Sequence, residues 1–484
     1  MENLDSTVLS TSLPAIAASL HEDPISLKLA LTSYLLSLAV FIPISGWVAD
    51  KYGARTVFMA AIVVFTAGSM LCGQSSSLPE FVLFRIVQGL GGAMMVPVGR
   101  LVILRSVPKP ELISALAWLT IPALLGPVIG PPLGGFITTY FNWRWIFYVN
   151  VPIGALGLLL TWNFITNVME ADTPPLDKTG FALSGLGLSA FVFGLAVLGE
   201  NAGSLTLGFL LTAVGLAICA VYVWHARRTE NPVIDLRLLG IPTFRAAVIG
   251  ASFFRVGVGA VPFLLPLMLQ LSFGLSPFQS GSITFAASAG SMLMKATAAP
   301  IIRRFGFRNV LIVNALISSA FLAATGLFTA GTAHAIIIAT LLAGGFFRSL
   351  EFTSINALAY ADIQQRDMSR ATSFASVAQQ VSLSLGVALG ALILQGARGV
   401  RAETAITQSD FALAFWIVAA ISALSVVSFL RLPIGAGEEM AGTSPGSAAV
   451  LQPVRIRTQK QAFPENASGN GRRTAGGSSS STKY

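Results

Sequence analysis

The sequence predicts an all-α, polytopic membrane protein, and three observations carry that prediction. Hydrophobic residues fill 54% of the 484 positions and charged residues only 11%, with a mean hydropathy of +0.74, far from the composition of a water-soluble domain. The apolar residues gather into fourteen runs near the roughly 20 residues that cross a bilayer as a helix. A short polar motif recurs after the second and tenth runs, so the chain is built twice on one plan.

In chain order the spans cover 1–20, 27–49, 57–74, 79–103, 114–139, 145–166, 180–199, 205–224, 243–271, 277–301, 309–330, 335–358, 371–396 and 410–431. The first is the weakest, for Glu2, Asp5 and several Ser and Thr interrupt it. It is either complete and weakly hydrophobic or lacks its first half. A basic n-region and an apolar h-region are both missing, so no signal peptide is read there. With the amino terminus inside, connections on the same side hold Lys51 and Arg55; Arg105 and Lys109; Lys178; Arg227, Arg228 and Arg237; Arg303, Arg304 and Arg308; and Arg366 and Arg370. The opposite side holds only Lys28, Arg144, Arg398 and Arg401. This bias predicts a multi-pass protein of the cell (inner) membrane with both termini in the cytoplasm. It also accounts for the net charge of +9 without a nucleic-acid-binding face.

The recurring motif is Asp50-Lys51-Tyr52-Gly53-Ala54-Arg55, matched by Arg303-Arg304-Phe305-Gly306-Phe307-Arg308. Aligning the copies gives an N-terminal six-helix bundle over 1–166, an inserted helix pair with cytoplasmic linkers over 167–242, and a C-terminal six-helix bundle over 243–432. The Gly-, Ser- and Ala-rich remainder, 433–484, reads as a disordered cytoplasmic tail. Duplicated bundles with a site between them at mid-membrane are the plan of one class of secondary transporter. Cys72 and Cys219 sit in apolar spans as inert small hydrophobes, and His21, His225 and His334 lack ligand spacing, so no disulfide framework and no metal site are expected. No Walker motif occurs, and Gly89-x-Gly91 lacks the third glycine of a dinucleotide fingerprint, so no cofactor is expected.

Charges inside apolar spans are costly and usually functional. Asp5 is the candidate for proton handling, read against a solvated acid. Arg85, midway along span 4, needs a carboxylate or carbonyls to match it, and a purely structural arginine is the alternative. Arg348 and Glu351, three apart on span 12, share a face and can neutralise each other, as a second protonatable site or as a static salt bridge. Arg255 in span 9 is read as lining a cavity, and Lys295 in span 10 as snorkelling toward the cytoplasmic face. Of 32 Phe, Phe253, Phe254, Phe263, Phe346, Phe347 and Phe352 cluster in spans 9 and 12. Phe254, Phe263, Phe347 and Phe352, with Arg255, form the expected substrate cavity. In span 5, Gly126, Pro127, Gly130, Pro131, Gly134 and Gly135 predict a helix that bends and packs closely; a close crossing without a part in coupling explains the same residues. Asp50 can accept from Arg55 or a neighbouring helix start, while Gly53 lets the turn form.

Several motifs together resemble the major facilitator superfamily, and within it the fourteen-helix drug:proton antiporters of the EmrB/QacA type, HsrA-like transporters above all. Gly46-x-x-x-Asp50-Lys51-x-Gly53-x-Arg55 is similar to the loop motif between helices 2 and 3, and Arg85-x-x-Gln88-Gly89-x-Gly91 to the motif of helix 4. Gly126-Pro127 through Gly130-Pro131 to Gly134-Gly135 resembles the antiporter motif of helix 5. Leu4-Asp5-x-Thr7 with Leu13-Pro14 resembles the helix 1 motif, and Trp143 to Phe147 with Asn150 and Pro152 the start of helix 6. The resemblance covers about 1–431 and departs from the pattern at the opening helix and at Arg303, which stands where the first copy has Asp50. It implies a proton-coupled secondary transporter that exports small amphipathic or hydrophobic molecules, with protons, substrate and lipid as its partners and a monomeric state. Asp5, Arg85, Glu351 and Arg348 are then the proton-coupling set, and Gly46, Asp50, Lys51, Gly53, Arg55, Gln88 and Gly89 the conformational motifs. The rivals are uptake on the same fold and a non-transporting membrane sensor or assembly protein. An enzyme is not expected, since no His, Ser or carboxylate cluster meets a membrane face.

Overall fold

A computed structural model describes residues 1–106, 126, 128–167, 175–198, 204–364, 367–401, 406–433 and 435–436. Pro127, the first part of span 5 and nearly all of the expected tail lie outside these residues. The described chain is helical: α1 (Glu2–Leu20), α2 (Lys28–Tyr52), α3 (Ala54–Gln74), α4 (Leu78–Ser106), α5 (128–140), α6 (Trp145–Tyr148), α7 (Asn150–Phe164), α8 (Lys178–Val197) and α9 (Ser204–Ala226). After a 3-10 turn at Leu236–Gly240 come α10 (Pro242–Leu267), α11 (Pro277–Phe305), α12 (Phe307–Thr325), α13 (His334–Ala361), α14 (Met368–Arg401), α15 (Gln408–Ala423) and α16 (Ser425–Leu430). Among the described residues, eleven spans are long and apolar enough to cross a membrane. α1 and α11 are helical without being among them, as their hydroxyl and charged residues dilute the apolar run. The all-α, polytopic prediction stands.

Local chemistry sets the helix ends. Ser276 and Gln279 form a capping box at the start of α11, and Thr407 and Asp410 do the same for α15. Asp177 accepts from the Gly180 amide at 2.8 Å to open α8. Pro262 and Pro266 deprive α10 of two amide donors, and the helix continues as a π turn over Met268–Ser272. The two repeat copies fold alike. Gly53 at φ +89° joins α2 to α3, and Gly306 at φ +72° joins α11 to α12, a backbone region that L side chains rarely enter.

Packing is inside out relative to a soluble protein. Leu159, Trp162, Phe164, Leu207 and Phe209 are exposed, while Asp5, Arg85, Gln88, Asn150, Arg255 and Glu351 are buried. α8 and α9 pair through small residues, with Gly187 against Cys219 and Gly215 against Phe191. α2 packs on α4, α8 and α14, and α1 on α10 and α11, so early and late helices share one core.

Candidate functional site

Four early helices deliver polar side chains to one buried point, and a fifth supplies an aromatic wall. The Asp5 carboxylate on α1 accepts from Arg85 Nη1 of α4 at Oδ2 (2.5 Å). Its Oδ1 accepts from Gln88 Nε2 (2.8 Å) and from Asn150 Nδ2 of α7 (3.0 Å). Arg85 also donates to Gln88 Oε1 (2.7 Å) and, through Nε, to the Ala30 carbonyl of α2 (3.3 Å), with its guanidinium 4.4 Å from the Tyr34 ring centroid. Asn150 reaches Ser69 of α3 (3.0 Å), whose hydroxyl donates to the Phe147 carbonyl (2.9 Å). None of Asp5, Tyr34, Ser69, Arg85, Gln88 or Asn150 is more than 4% exposed. Arg85 and Gln88 come together because they sit three apart on one face of α4, and Gly89 makes room. A side chain at Gly89 would meet Ser37 and the Tyr34 carbonyl of α2. Sequence reasoning brought Asp5, Arg85 and Gln88 forward; Asn150 figured only in a motif, and Ser69 and Tyr34 were missed. An Asn inside an apolar run is a readable signal of the same kind as a charge. The Tyr and Ser give none.

The glycines of α5 face α1. A Cβ on Gly130 would collide with Thr7 Oγ1, and one on Gly134 with the Val8 carbonyl and, at 2.7 Å, Thr11 Oγ1. Ser12 and Thr138 bond across the same contact at 2.6 Å, and Thr7 donates to the Gly126 carbonyl at 3.2 Å. Gly135 lies instead on Pro277 and Phe278 at the start of α11, and Gly281 of α11 lies on Pro131. The segment is therefore a close-packing surface toward both the acid-bearing helix and the later helices. In the loop motif, the guanidinium of Arg55 stacks 4.4 Å from the Trp162 ring centroid, and Lys51 Nζ lies 4.7 Å from that of Trp47. Among the described residues nothing lies within 4 Å of where a Cβ on Gly46 would stand.

The later helices depart further from expectation. Glu351 and Arg348 make no ion pair. The Glu351 carboxyl, fully buried on α13, instead accepts from Asn314 Nδ2 of α12 at 2.8 Å, because α12 packs on that face. Lys295 Nζ donates to Thr353 Oγ1 of α13 at 2.8 Å. Arg255 Nη2 donates to Asn356 Oδ1 at 3.2 Å. Phe254 and Phe263 are 0% exposed core residues, Phe254 meets Phe352 edge-on at 5.6 Å, and Phe347 stacks on Phe321 at 5.6 Å. A space of about 320 Å³ lies elsewhere, between α2, α4 and α8, lined by Leu29, Leu36, Val40, Phe41, Ile86 and Phe193 among others. Among the described residues, no group of three or more His, Cys, Asp or Glu could hold a metal ion.

The sequence model of the Major Facilitator Superfamily matches residues 1–224 and 247–463. A protein of Pectobacterium atrosepticum that carries the name multidrug resistance protein MdtD is 36% identical over 441 residues, 90% of this chain and 93% of that one. Its namesake in Klebsiella pneumoniae strain 342 is 37% identical over 446 residues, with the same shares covered. In three dimensions the chain is similar to a D-xylose-proton symporter, with a TM-score of 0.66 at 15% identity over 90% of this chain and 95% of that one. It is also similar to an auto-inhibited peptide transporter of the POT family, with a TM-score of 0.64 at 16% identity over 90% and 96%. Matched along both halves and through relatives of nearly its own length, the chain belongs to the major facilitator superfamily of membrane transporters.

Proposed function

We propose that the chain is a proton-coupled exporter of small amphipathic or hydrophobic molecules, working by alternating access. The observation that carries this reading is the buried Asp5–Arg85 pair, held inside a network that ties α1, α2, α3, α4 and α7 together. Protonating Asp5 strips a fully buried guanidinium of its counter-charge. Removing one partner of a buried pair costs about 3–5 kcal/mol, so the network must rearrange, and the helices it ties must move with it. Glu351, held by an amide alone, is the second carboxyl for this cycle, with Arg348 on the same helix. The names of the relatives support multidrug export.

The finer assignment is the fourteen-helix drug:proton type, HsrA-like in character, with bundles over 1–166 and 243–432, an inserted pair between them, a monomeric state and both termini in the cytoplasm. Early and late helices meet at one face through Asp23–Arg398 (2.6 Å), Lys28–Gln395 (3.1 Å) and Thr139–Phe278 (2.9 Å). With the termini inside, that face is the outer one, and this conformer is closed there. The α5 glycines, seated on α1 and α11, would keep the proton path sealed while the halves rock. Everted vesicles given an acid interior test the reading. They should accumulate an amphipathic fluorescent dye, and Asp5→Asn should abolish accumulation with the protein still in the membrane. Undiminished accumulation by Asp5→Asn would remove the proposed proton site, and dye expelled in company with protons would favour the uptake rival.

A further inference from the structure

Intramembrane charges differ in how they are matched. On the early helices the Arg85 guanidinium is paired with the Asp5 carboxylate. The later helices hold three bases well inside their length, Arg255 on α10, Lys295 on α11 and Arg348 on α13, while their buried acids are Glu351 on α13 and Asp410, which caps the start of α15. Among the described residues none of these three bases makes an ion pair.

Two of them are brought to one turn of α13. Arg255 is held at Asn356 and Lys295 at Thr353, and residues three apart on a helix are surface neighbours, about 5–6 Å between Cβ atoms. α10 and α11 thus deliver two cations to the same spot from two sides. Glu351 does not neutralise them: two residues from Thr353 it lies about 200° around the helix, and it is turned toward Asn314 of α12. Arg255 lies 13 residues past Pro242, and Lys295 ten residues before Phe305. At 1.5 Å per residue these lie about 20 and 15 Å from the ends of their own helices, and their partners Asn356 and Thr353 about 8 and 12 Å from the end of α13 at Ala361.

Their present partners, an amide and a hydroxyl, satisfy hydrogen bonds and leave the charges uncompensated. Arg255 is 2% exposed and its Nε is buried without a protein partner. Lys295 and Asn356 are exposed on helices read as crossing the membrane, where hydrocarbon would penalise them and a polar cavity or ligand would not. Two uncompensated cations beside an aromatic ring, Phe352 at 5.6 Å from the Arg255 guanidinium, match an acid group on an apolar frame.

We infer that the transported substrate is an amphipathic anion, a carboxylate or sulfonate whose acid group lies between Arg255 and Lys295 at the Thr353–Asn356 turn. The inference rests on the transport reading and names the substrate class for it. The test is equilibrium dialysis of the full chain, purified in an uncharged detergent, against carboxyfluorescein and tetramethylrhodamine methyl ester, which share a xanthene frame and differ in charge. The anionic dye should bind at least about tenfold tighter than the cationic one. Arg255→Gln and Lys295→Gln should each weaken it on the order of thirtyfold while the cationic dye binds no more weakly than before, with Arg255→Lys retaining most of the affinity for the anion. Lys295 is exposed, so Lys295→Gln keeps the test open if Arg255→Gln fails to fold. Equal or tighter binding of the cation, no binding of the anion, or anion binding indifferent to Lys295→Gln would overturn the inference. Dialysis needs no proton gradient, so failure of pH-driven transport and failure of anion preference are separate results.

Discussion

Asp5→Asn should destabilise the folded protein as well as stop coupling, and the structure gives the size. The native carboxylate accepts three hydrogen bonds, from Arg85, Gln88 and Asn150. An asparagine keeps one acceptor oxygen and turns an amino group toward donors, while Arg85, 0% exposed, loses the one carboxylate that pairs with it among the described residues. Two unit charges about 4 Å apart attract by roughly 4 kcal/mol at an effective dielectric of 20, and breaking a buried pair costs about 3–5 kcal/mol. A loss of that order is expected when purified protein is unfolded from mixed micelles by increasing SDS and followed by circular dichroism. The double variant Asp5→Asn/Arg85→Gln should recover part of it, since removing both charges leaves no orphan ion, yet should still fail to transport. A single variant within about 0.5 kcal/mol of native, or a double variant whose loss is the sum of the two singles, would refute the reasoning.

The remaining predictions concern the frame. Gly134→Ala should cost about 1–3 kcal/mol on the same SDS titration and impair dye accumulation, because the methyl meets Val8 and Thr11 of α1; Gly46→Ala, with no described residue near its Cβ, should be neutral or gain about 0.5–1 kcal/mol. Gly306→Ala should lose about 1–2 kcal/mol from its left-handed backbone alone, and Gly53→Ala more, since its Cβ would also strike Asn167. Cysteines at Asp23 and Arg398 should cross-link with a short thiol reagent and halt transport until reduced; transport that continues in the linked protein would contradict closure and opening at that face.

The fold was legible because lipid imposes it: fourteen apolar runs and a glycine-bearing motif in two copies are enough, and Gly53 and Gly306 adopt the same positive φ. The early site was half legible. Asp5 and Arg85 announce themselves as charges in apolar runs and Gln88 came forward only through the resemblance of its motif, whereas Ser69 and Tyr34 look like any polar residues of a membrane helix. The later helices were read less well. Spacing allowed Arg348 and Glu351 to meet, but the neighbour on α12, invisible in local sequence, took the carboxyl through Asn314. Phenylalanines that pack on one another, such as Phe254 on Phe352, are indistinguishable in sequence from those that line a cavity. The tethering of Arg255 and Lys295 to one turn of α13 depends on three helices at once, and no window of sequence contains it.

Proton flux measured on adding substrate tests the central claim most directly. Everted vesicles are acidified inside by respiration and followed with an acridine dye whose quenching reports the gradient, and a panel of anionic and cationic amphipathic compounds is then added. Exchange through the Asp5–Arg85 network predicts that transported compounds release protons and restore fluorescence in native vesicles and leave Asp5→Asn vesicles quenched. Compounds that deepen the quench, or that restore it equally in both, would contradict the account.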